Sequence, residues 1–288
     1  MSYLVLVRHG QSEWNKQNRF TGWVDVGLTA EGSREAKKAG KLLAKEKITF
    51  DIGFTSYQKR AIKTLWLTLE ALDQMHIPVT KNWRLNERHY GGLTGLNKQE
   101  TRDKHGDDQV HIWRRSFDVP PPQIDMDHEY HPSQDPKYAG ITPSELPRGE
   151  SLKITTERVL PYFEDQIMLF IRANSNVIVS AHGNSLRALM KKIFNVSDKN
   201  IPGFEFPTGN PLLIELEDGT LNVKSARYLD EKRAKALPFI GTIYTKTALK
   251  KMREAELVDL AISRGITAST DDLKADTVQK ILDAQPEK

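Results

Sequence analysis

The chain has no cysteine. That absence excludes disulfides, thiolate zinc sites and cysteine nucleophiles. No apolar run approaches the ~18–20 residues that a membrane helix needs. Near the start, the apolar stretch extends only from Tyr3 to Val7, and no basic segment precedes it. It reads as a strand rather than a signal peptide, so the cytoplasm is the expected compartment and no membrane partner is expected. Charge of one sign is also scarce. Lys+Arg total 42 against 38 Asp+Glu, a formal net charge of +4. So mild an excess does not by itself argue for nucleic acid, although a local cluster of arginines still suits a small anionic substrate. Internal repeats and low-complexity tracts are absent too.

What the chain does have is length and apolar residues. It has 288 residues, of which 38% are hydrophobic and 28% charged, with a mean hydropathy of −0.54. That suits a soluble globular protein: one large domain, or one domain with a small appendage. Continuous apolar runs at Tyr3 to Val7, Ile52 to Thr55 and Val177 to Ala181 read as buried strands. Helical spacing follows them. Ala36, Ala39 and Leu43 share a face within Thr29 to Glu46; so do Ala61, Leu65, Leu69 and Leu72, and later Leu186, Leu189, Met190 and Ile193. Alternating strand and helix predicts an α/β fold with a mostly parallel, buried sheet. Leu212 to Leu216 and Leu221 to Ala226 read as two further strands about the turn Asp218-Gly219. Between the halves lies a long stretch, 86–150, that reads as irregular and contains Pro120-Pro121-Pro122. A stretch like that inside a compact domain is expected to be a functional lid or insertion.

Two strand ends carry the chemistry. Leu4 to Val7 runs into Arg8-His9-Gly10, and Val177 to Ala181 runs into His182-Gly183-Asn184. In parallel sheets ligands bind beyond the carboxyl ends of strands. Gly10 is expected to let a ligand approach the backbone, and Arg8 offers a planar donor fork suited to phosphate. One imidazole could act as a nucleophile while the other donates to an oxyanion or a transferring phosphoryl group. Two unrelated loop histidines, or a zinc site lacking the usual close-set ligand pairs, are the alternatives. Arg60, Lys98, Arg114 and Arg115 add positive charge, and singly each reads as a surface cation. Glu87 is a candidate acid/base if burial raises its pKa.

These residues bring a family into view. Arg8-His9-Gly10-Gln11-Ser12-Glu13-Trp14-Asn15 with Arg19-Phe20-Thr21-Gly22-Trp23 resembles the opening of the cofactor-dependent phosphoglycerate mutases, in the histidine phosphatase superfamily. The similarity continues through Lys59-Arg60-Ala61-Ile62, Glu87-Arg88-His89-Tyr90-Gly91, Gly95-Leu96-Asn97-Lys98 and Trp113-Arg114-Arg115. It extends through Glu150-Ser151-Leu152, the His182 segment to Arg187, and Pro207-Thr208-Gly209, covering roughly residues 2 to 230. The resemblance implies a three-layer α/β/α domain over 1–241, with 86–150 as a substrate-enclosing insertion. It implies interconversion of 3-phosphoglycerate and 2-phosphoglycerate, in glycolysis and gluconeogenesis, with 2,3-bisphosphoglycerate as primer and no metal. It implies that His9 becomes phosphorylated, that Arg8, Arg60 and His182 surround the phosphoryl group, and that Glu87 exchanges protons. Gly10, Gln11, Ser12, Glu13, Trp14, Asn15, Thr21, Gly22, Arg88, His89, Tyr90, Lys98, Arg114, Arg115, Gly183 and Asn184 are then the substrate-binding set. A homodimer or homotetramer is implied as well. Bisphosphoglycerate synthase or phosphatase activity is the alternative, as is a mutase with an added binding role.

The family's chain ordinarily ends soon after the region of Tyr228 to Gly241; here about 45 residues follow. Residues 242–288 hold eight Lys/Arg and eight Asp/Glu. Two short amphipathic helices are expected there, one bearing Leu257, Leu260 and Ala261 and capped at Gly265. The other bears Val278, Ile281 and Leu282 and starts near an N-cap at Thr270. The segment weakly resembles the helix-extended-loop-helix modules of the SAP and Rho N-terminal families. A small helical extension is favoured over nucleic-acid binding through 245–288, because a neutral segment lacks a basic face.

Overall fold

A computed structural model describes residues 2–238, 240, 244–263 and 266–285. The chain divides into two compact units, 1–238 and 239–288.

In the first unit the described strands are β1 (Ser2–Arg8), β2 (Ile52–Thr55), β3 (Val79–Lys81), β4 (Val177–Ala181), β5 (Leu212–Leu216) and β6 (Val223–Tyr228). They form one sheet in the order β3-β2-β4-β1-β5-β6. The first four in that order are mutually parallel, and β5 and β6 complete the sheet as an antiparallel pair. The helices of this unit are α1 (Glu13–Lys16), α2 (Ala30–Lys45), α3 (Lys59–Leu72), α4 (Lys98–His105), α5 (Asp107–Arg115), α6 (Leu152–Tyr162), α7 (Met168–Arg172) and α8 (Gly183–Ile193). The three-layer α/β/α expectation is met, and the reason lies in strand periodicity. Val5 and Val7 point to one face, with Ile178, and pack against Ala39 and Leu43 of α2 and Leu65 and Leu69 of α3. Leu4, Leu6, Val177 and Val179 point to the other face and pack against Val159 of α6 and Leu186, Leu189 and Ile193 of α8. Leu4 and Leu6 are fully buried. Truncating either to alanine costs about 2–5 kcal/mol.

Helix ends follow local chemistry. Thr29 caps α2, its hydroxyl accepting from the Gly32 N–H at 3.0 Å. Ser151 caps α6 in the same way, accepting from Ile154 N–H at 3.2 Å. Pro161 lies inside α6 and has no N–H to donate to the carbonyl four residues back. Immediately after it the helix widens into a π turn over Phe163–Ile167 before continuing as α7.

The structure departs from expectation in three places. The last strand is Val223–Tyr228, two residues later than Leu221 to Ala226, since its register is set by pairing with β5 around the Asp218-Gly219 turn. The stretch 86–150 is less irregular than expected, because it contains α4 and α5. The α4 sequence KQETRDKH has no apolar residue to reveal a period. Asn97 starts the helix by accepting from Gln99 N–H at 2.8 Å, and Gly106, at φ 82°, breaks it from α5. Among its described residues the second unit holds three helices rather than two: α9 (Lys246–Lys251), α10 (Glu254–Ser263) and α11 (Lys274–Asp283). Thr270 does not cap α11; the cap position is Leu273, without a side-chain bond. The expected cap at Gly265 lies outside the described residues. Leu249, Leu257, Ala261, Val278 and Ile281 form this unit's own core.

Candidate active site

The register joining β1 to β4 decides where the chemistry sits. Arg8 pairs with Ala181, so the residues that follow, His9 and His182, leave the same end of adjacent parallel strands. The His9 N–H donates to the Ala181 carbonyl at 3.0 Å, and the imidazole centroids are 5.0 Å apart. Thr55, the last residue of β2, pairs with Ser180. The next residue, Ser56, therefore reaches the same edge, with its hydroxyl 2.8 Å from His182 Nε2. This carboxyl edge is where open α/β sheets bind ligands.

His9 is oriented by its own chain. Its Nδ1 lies 2.7 Å from the Gly10 carbonyl oxygen. A carbonyl only accepts, so Nδ1 carries the proton and Nε2 the lone pair. Burial first, then the positive charges of Arg60 and Arg8, hold the His9 pKa well below 6.5. Burial, Arg60, His9 and Arg8 do the same to His182. Both rings are therefore neutral at pH 7, and His9 keeps an unprotonated nitrogen.

Fixed cations surround this pair. Arg60 stands in the first turn of α3 and is 1% exposed. Its guanidinium donates to the carbonyls of Val24 at 2.9 Å and Gly22 at 2.8 Å. Burial lowers its pKa to about 10, which leaves it charged at neutral pH. Arg8 Nη1 donates to the Phe206 carbonyl at 2.8 Å. The Nε of Arg8, the Nε of Arg60 and the Nδ1 of His182 are buried without a partner. Each buried donor left unpaired costs about 1–3 kcal/mol. The two arginine donors beside His9 suit an anion that would accept from them, and His182 Nδ1 joins them in the tautomer that carries its proton there.

Glu87 is 8% exposed. Its Oε1 accepts from the Arg88 N–H at 2.7 Å, the Asn184 N–H at 3.2 Å and the Asn184 amide at 2.8 Å. Burial pushes its pKa up, as expected. The hydrogen bonds from Arg88 and Asn184, with the charges of Arg8 and Arg60, outweigh burial, and the net direction is down. Glu87 is thus a carboxylate, a base rather than an acid. Arg158 positions it from behind. One Nη2 donates to the Glu87 carbonyl at 2.9 Å and the Asn86 carbonyl at 3.1 Å, while Nε pairs with Glu150 at 2.6 Å.

A cavity of about 230 Å³ opens over these groups. Its wall carries Arg8, Arg19, Arg60, Lys98, Arg114, Arg115 and Arg187, seven cations against the two carboxylates Glu87 and Glu205. Asn15, Thr21, Gly22, Tyr90, Gly183 and Asn184 also line it, with His9. The phenol of Tyr90 is pushed up by burial, but the charges of Arg88 and Lys98 carry the net direction down. Among the described residues, no group of three or more His, Cys, Asp or Glu is placed to hold a metal ion.

Several residues of the expected binding set build this cavity from behind instead of lining it. Gly10 is the clearest correction: a Cβ there would lie 2.2 Å from the Gly32 carbonyl oxygen. Its smallness serves the approach of α2, not of a ligand. Gln11 accepts at its own carbonyl from Thr29 Oγ1, 3.2 Å, and donates its N–H to Glu35 at 2.7 Å. Ser12 caps α1, reciprocally with Asn15, which itself also lines the cavity. Glu13 is exposed in the first turn of α1, and Trp14 lies under the Arg19 guanidinium, 4.1 Å from it. Arg88 is buried, donating to the Arg114 carbonyl at 3.1 Å. His89 accepts at Nδ1 from the Gly91 N–H at 2.9 Å, and burial lowers its pKa to about 3.

Four cavity or near-cavity residues escaped assignment from sequence: Arg19, Arg187, Ser56 and Glu205. Arg187 lies four residues after Gly183 on α8, so helical spacing could have placed it on the same face. Ser56 follows a strand end, the same signal that marked His9 and His182.

The match to the histidine phosphatase superfamily (branch 1) spans residues 4–135. A curated protein of Maricaulis maris, named 2,3-bisphosphoglycerate-dependent phosphoglycerate mutase, is 60% identical over 238 residues, 83% of this chain and 98% of its own. One of the same name from Caulobacter vibrioides is 57% identical over 241 residues, 84% of this chain and all of its own. Among solved structures, a mycobacterial glucosyl-3-phosphoglycerate phosphatase is similar in fold, with a TM-score of 0.59 at 19% identity, covering 79% of this chain and 97% of that one. With identity that high over nearly the full length of these relatives, the chain belongs to the 2,3-bisphosphoglycerate-dependent phosphoglycerate mutases of the histidine phosphatase superfamily.

Proposed function

We propose that the chain interconverts 3-phosphoglycerate and 2-phosphoglycerate through a phosphohistidine at His9. The observation that carries this reading is the neutral His9 ring, its Nδ1 bonded to the Gly10 carbonyl, beside unpartnered donors of Arg8 and Arg60. Nε2 is the nucleophile. Bound 2,3-bisphosphoglycerate supplies the phosphoryl group that primes it, and the excess of cations on the cavity wall fits so anionic a group. Arg8, Arg60 and His182 stabilise the charge on the transferring phosphoryl oxygens. The Ser56 hydroxyl accepts from the Gln58 N–H at 3.1 Å. When that hydroxyl donates its own proton to His182 Nε2, Nδ1–H is left as the donor toward the site, and this is the tautomer the scheme uses.

The substrate hydroxyl attacks the phosphorus of phospho-His9. The P–N bond breaks as the O–P bond forms, and Glu87 takes the hydroxyl proton. In the reverse sense Glu87 returns that proton as His9 Nε2 accepts the phosphoryl group from the other carbon. Lys98, Arg114, Arg115 and Tyr90 hold the carboxylate and the phosphate that is not being transferred, with Asn15, Thr21, Gly22, Gly183 and Asn184 completing the pocket. No metal has a role in this scheme.

On this reading residues 1–241 carry the activity, 86–150 enclose the substrate, and 242–288 form a helical extension. A cytoplasmic homo-oligomer belongs to the same reading. Trp66, 49% exposed on α3, and the edge strand β3, whose Lys81 lies over the Trp66 ring, supply an exposed edge for pairing with a second copy. Light scattering after size exclusion tests that part.

The test of the activity is 3-phosphoglycerate isomerisation with an enolase-coupled readout, with and without 2,3-bisphosphoglycerate, in excess chelator. Fast, primer-dependent, chelator-resistant product is the expected result. Release of inorganic phosphate without isomer would replace this reading with a phosphatase.

A further inference from the structure

The cavity wall holds two carboxylates, and the proton chemistry uses only Glu87. Glu205 is the other. It immediately precedes Phe206, whose carbonyl holds Arg8. Its Oε1 accepts from Arg115 Nη2 at 2.9 Å, and its Oε2 lies 3.6 Å from Lys235 Nζ. Burial pushes its carboxyl up, but the Arg115 hydrogen bond and the charges of Arg115, Lys235 and Arg187 hold it below the usual carboxylate range. It is therefore an anion at neutral pH, standing on a wall that carries seven cations.

A fixed negative charge there opposes the ligand in two ways. It occupies a donor fork that a substrate carboxylate or phosphate would otherwise use. It also repels the ligand, in proportion to the ligand's own charge. We propose that Glu205 is a specificity-determining residue: it occupies Arg115 in the empty site and weakens binding of 2,3-bisphosphoglycerate more than binding of the monophosphates. The inference rests on the mutase reading above. A ligand reaching Arg115 displaces the Glu205 carboxylate, and Lys235 offers that carboxylate a second partner. The cost falls hardest on the bisphosphate, which has one phosphate more than the substrate. Without Glu205 the seven cations of the wall would face Glu87 alone and favour the bisphosphate over the monophosphate more strongly; Glu205 moderates that preference.

The test compares Glu205→Gln, which removes the charge, with Glu205→Asp, which keeps it. Each is made in the full chain on a His9→Asn background, so that no phosphoryl transfer disturbs the heats. Calorimetric titration follows with 3-phosphoglycerate and with 2,3-bisphosphoglycerate. The Gln variant is expected to bind the monophosphate about 3-fold and the bisphosphate about 10-fold tighter, a gap that narrows with added salt. The Asp variant is expected to stay within about 2-fold of its parent for both. Weaker binding of both ligands by the Gln variant would overturn the proposal and leave Glu205 as a positioning residue for Arg115. Unchanged binding, or equal tightening for both ligands, would overturn it too. The differential tightening in the Gln variant, in a protein whose wild type does not isomerise, would sink the mutase reading while sustaining this one. A parent that binds neither would sink both.

Discussion

The two walls of the cavity are built differently. The sheet-edge wall holds His9, Arg8 and Arg60 on a strand end or a first helical turn, with His182 buried beside His9 and outside the lining, and His9, His182 and Arg60 are nearly inaccessible, at 3%, 0% and 1% exposure. Ladder register and backbone carbonyls fix these groups. The opposite wall hangs Lys98, Arg114 and Arg115 on two short helices, and the Arg115 side chain is 30% exposed with a carboxylate as its partner. Reacting atoms tolerate little misplacement, so they stand where the backbone is over-determined. Groups that only hold the ends of a ligand can stand on looser elements.

If that division is right, the two walls should fail differently on substitution. The largest effect is expected at His9: His9→Ala should abolish phosphoenzyme formation, dropping isomerisation about 100,000-fold or to background. A radiolabelled phosphoryl trap and the coupled assay read both. Glu87→Gln should lower kcat about 1,000-fold with little change in KM, because it removes the proton carrier and not a ligand contact. A KM rise of that size with kcat intact would erase the distinction between the walls. Lys98→Ala should do the opposite, raising KM about 10-fold with kcat within a few-fold.

Acid should sharpen the comparison through stability. Burial takes the folded-state pKa of His89 to about 3, far below its unfolded value near 6.5. The unfolded chain therefore binds the proton first. Stability from this group is full above about pH 6.5 and declines as pH falls toward the folded value, by about 1 kcal/mol per pH unit. Urea melts between pH 7 and 5 measure the slope, and His89→Gln should flatten it. The smallest effect is expected from removing residues 239–288. A chain ending at Pro238 should keep turnover within about 3-fold, since the first unit has its own core. A large loss in the coupled assay would draw the extension into the catalytic unit.

How much of this was legible in sequence differs by element. Long periodic segments such as α2 and α3, and apolar runs such as β4, declare themselves through side-chain spacing. Charged α4 does not, because its helix is started by Asn97 and ended by Gly106 with no apolar stripe. Strand β3, with three residues, is too short for any period. Ser12 and Gln11 sit inside the motif yet act on the backbone, since a motif records which residues are needed without recording what each one touches.

By itself the amino-acid order determined the alternation of strand and helix, the two strand-end histidines and the family. Those follow from local periodicity and from residues that must stand in one order. Tertiary structure decided which groups meet. Only the β1–β4 register brings His9 to His182, residues 173 positions apart in the chain. Only burial beside Arg8 and Arg60 makes those rings neutral, only converging donors with the charges of Arg8 and Arg60 keep Glu87 ionised, and only the fold sets Glu205 against Arg115. Protonation state and charge pairing depend on distance and solvent exclusion, and neither quantity is carried by a residue's place in the chain.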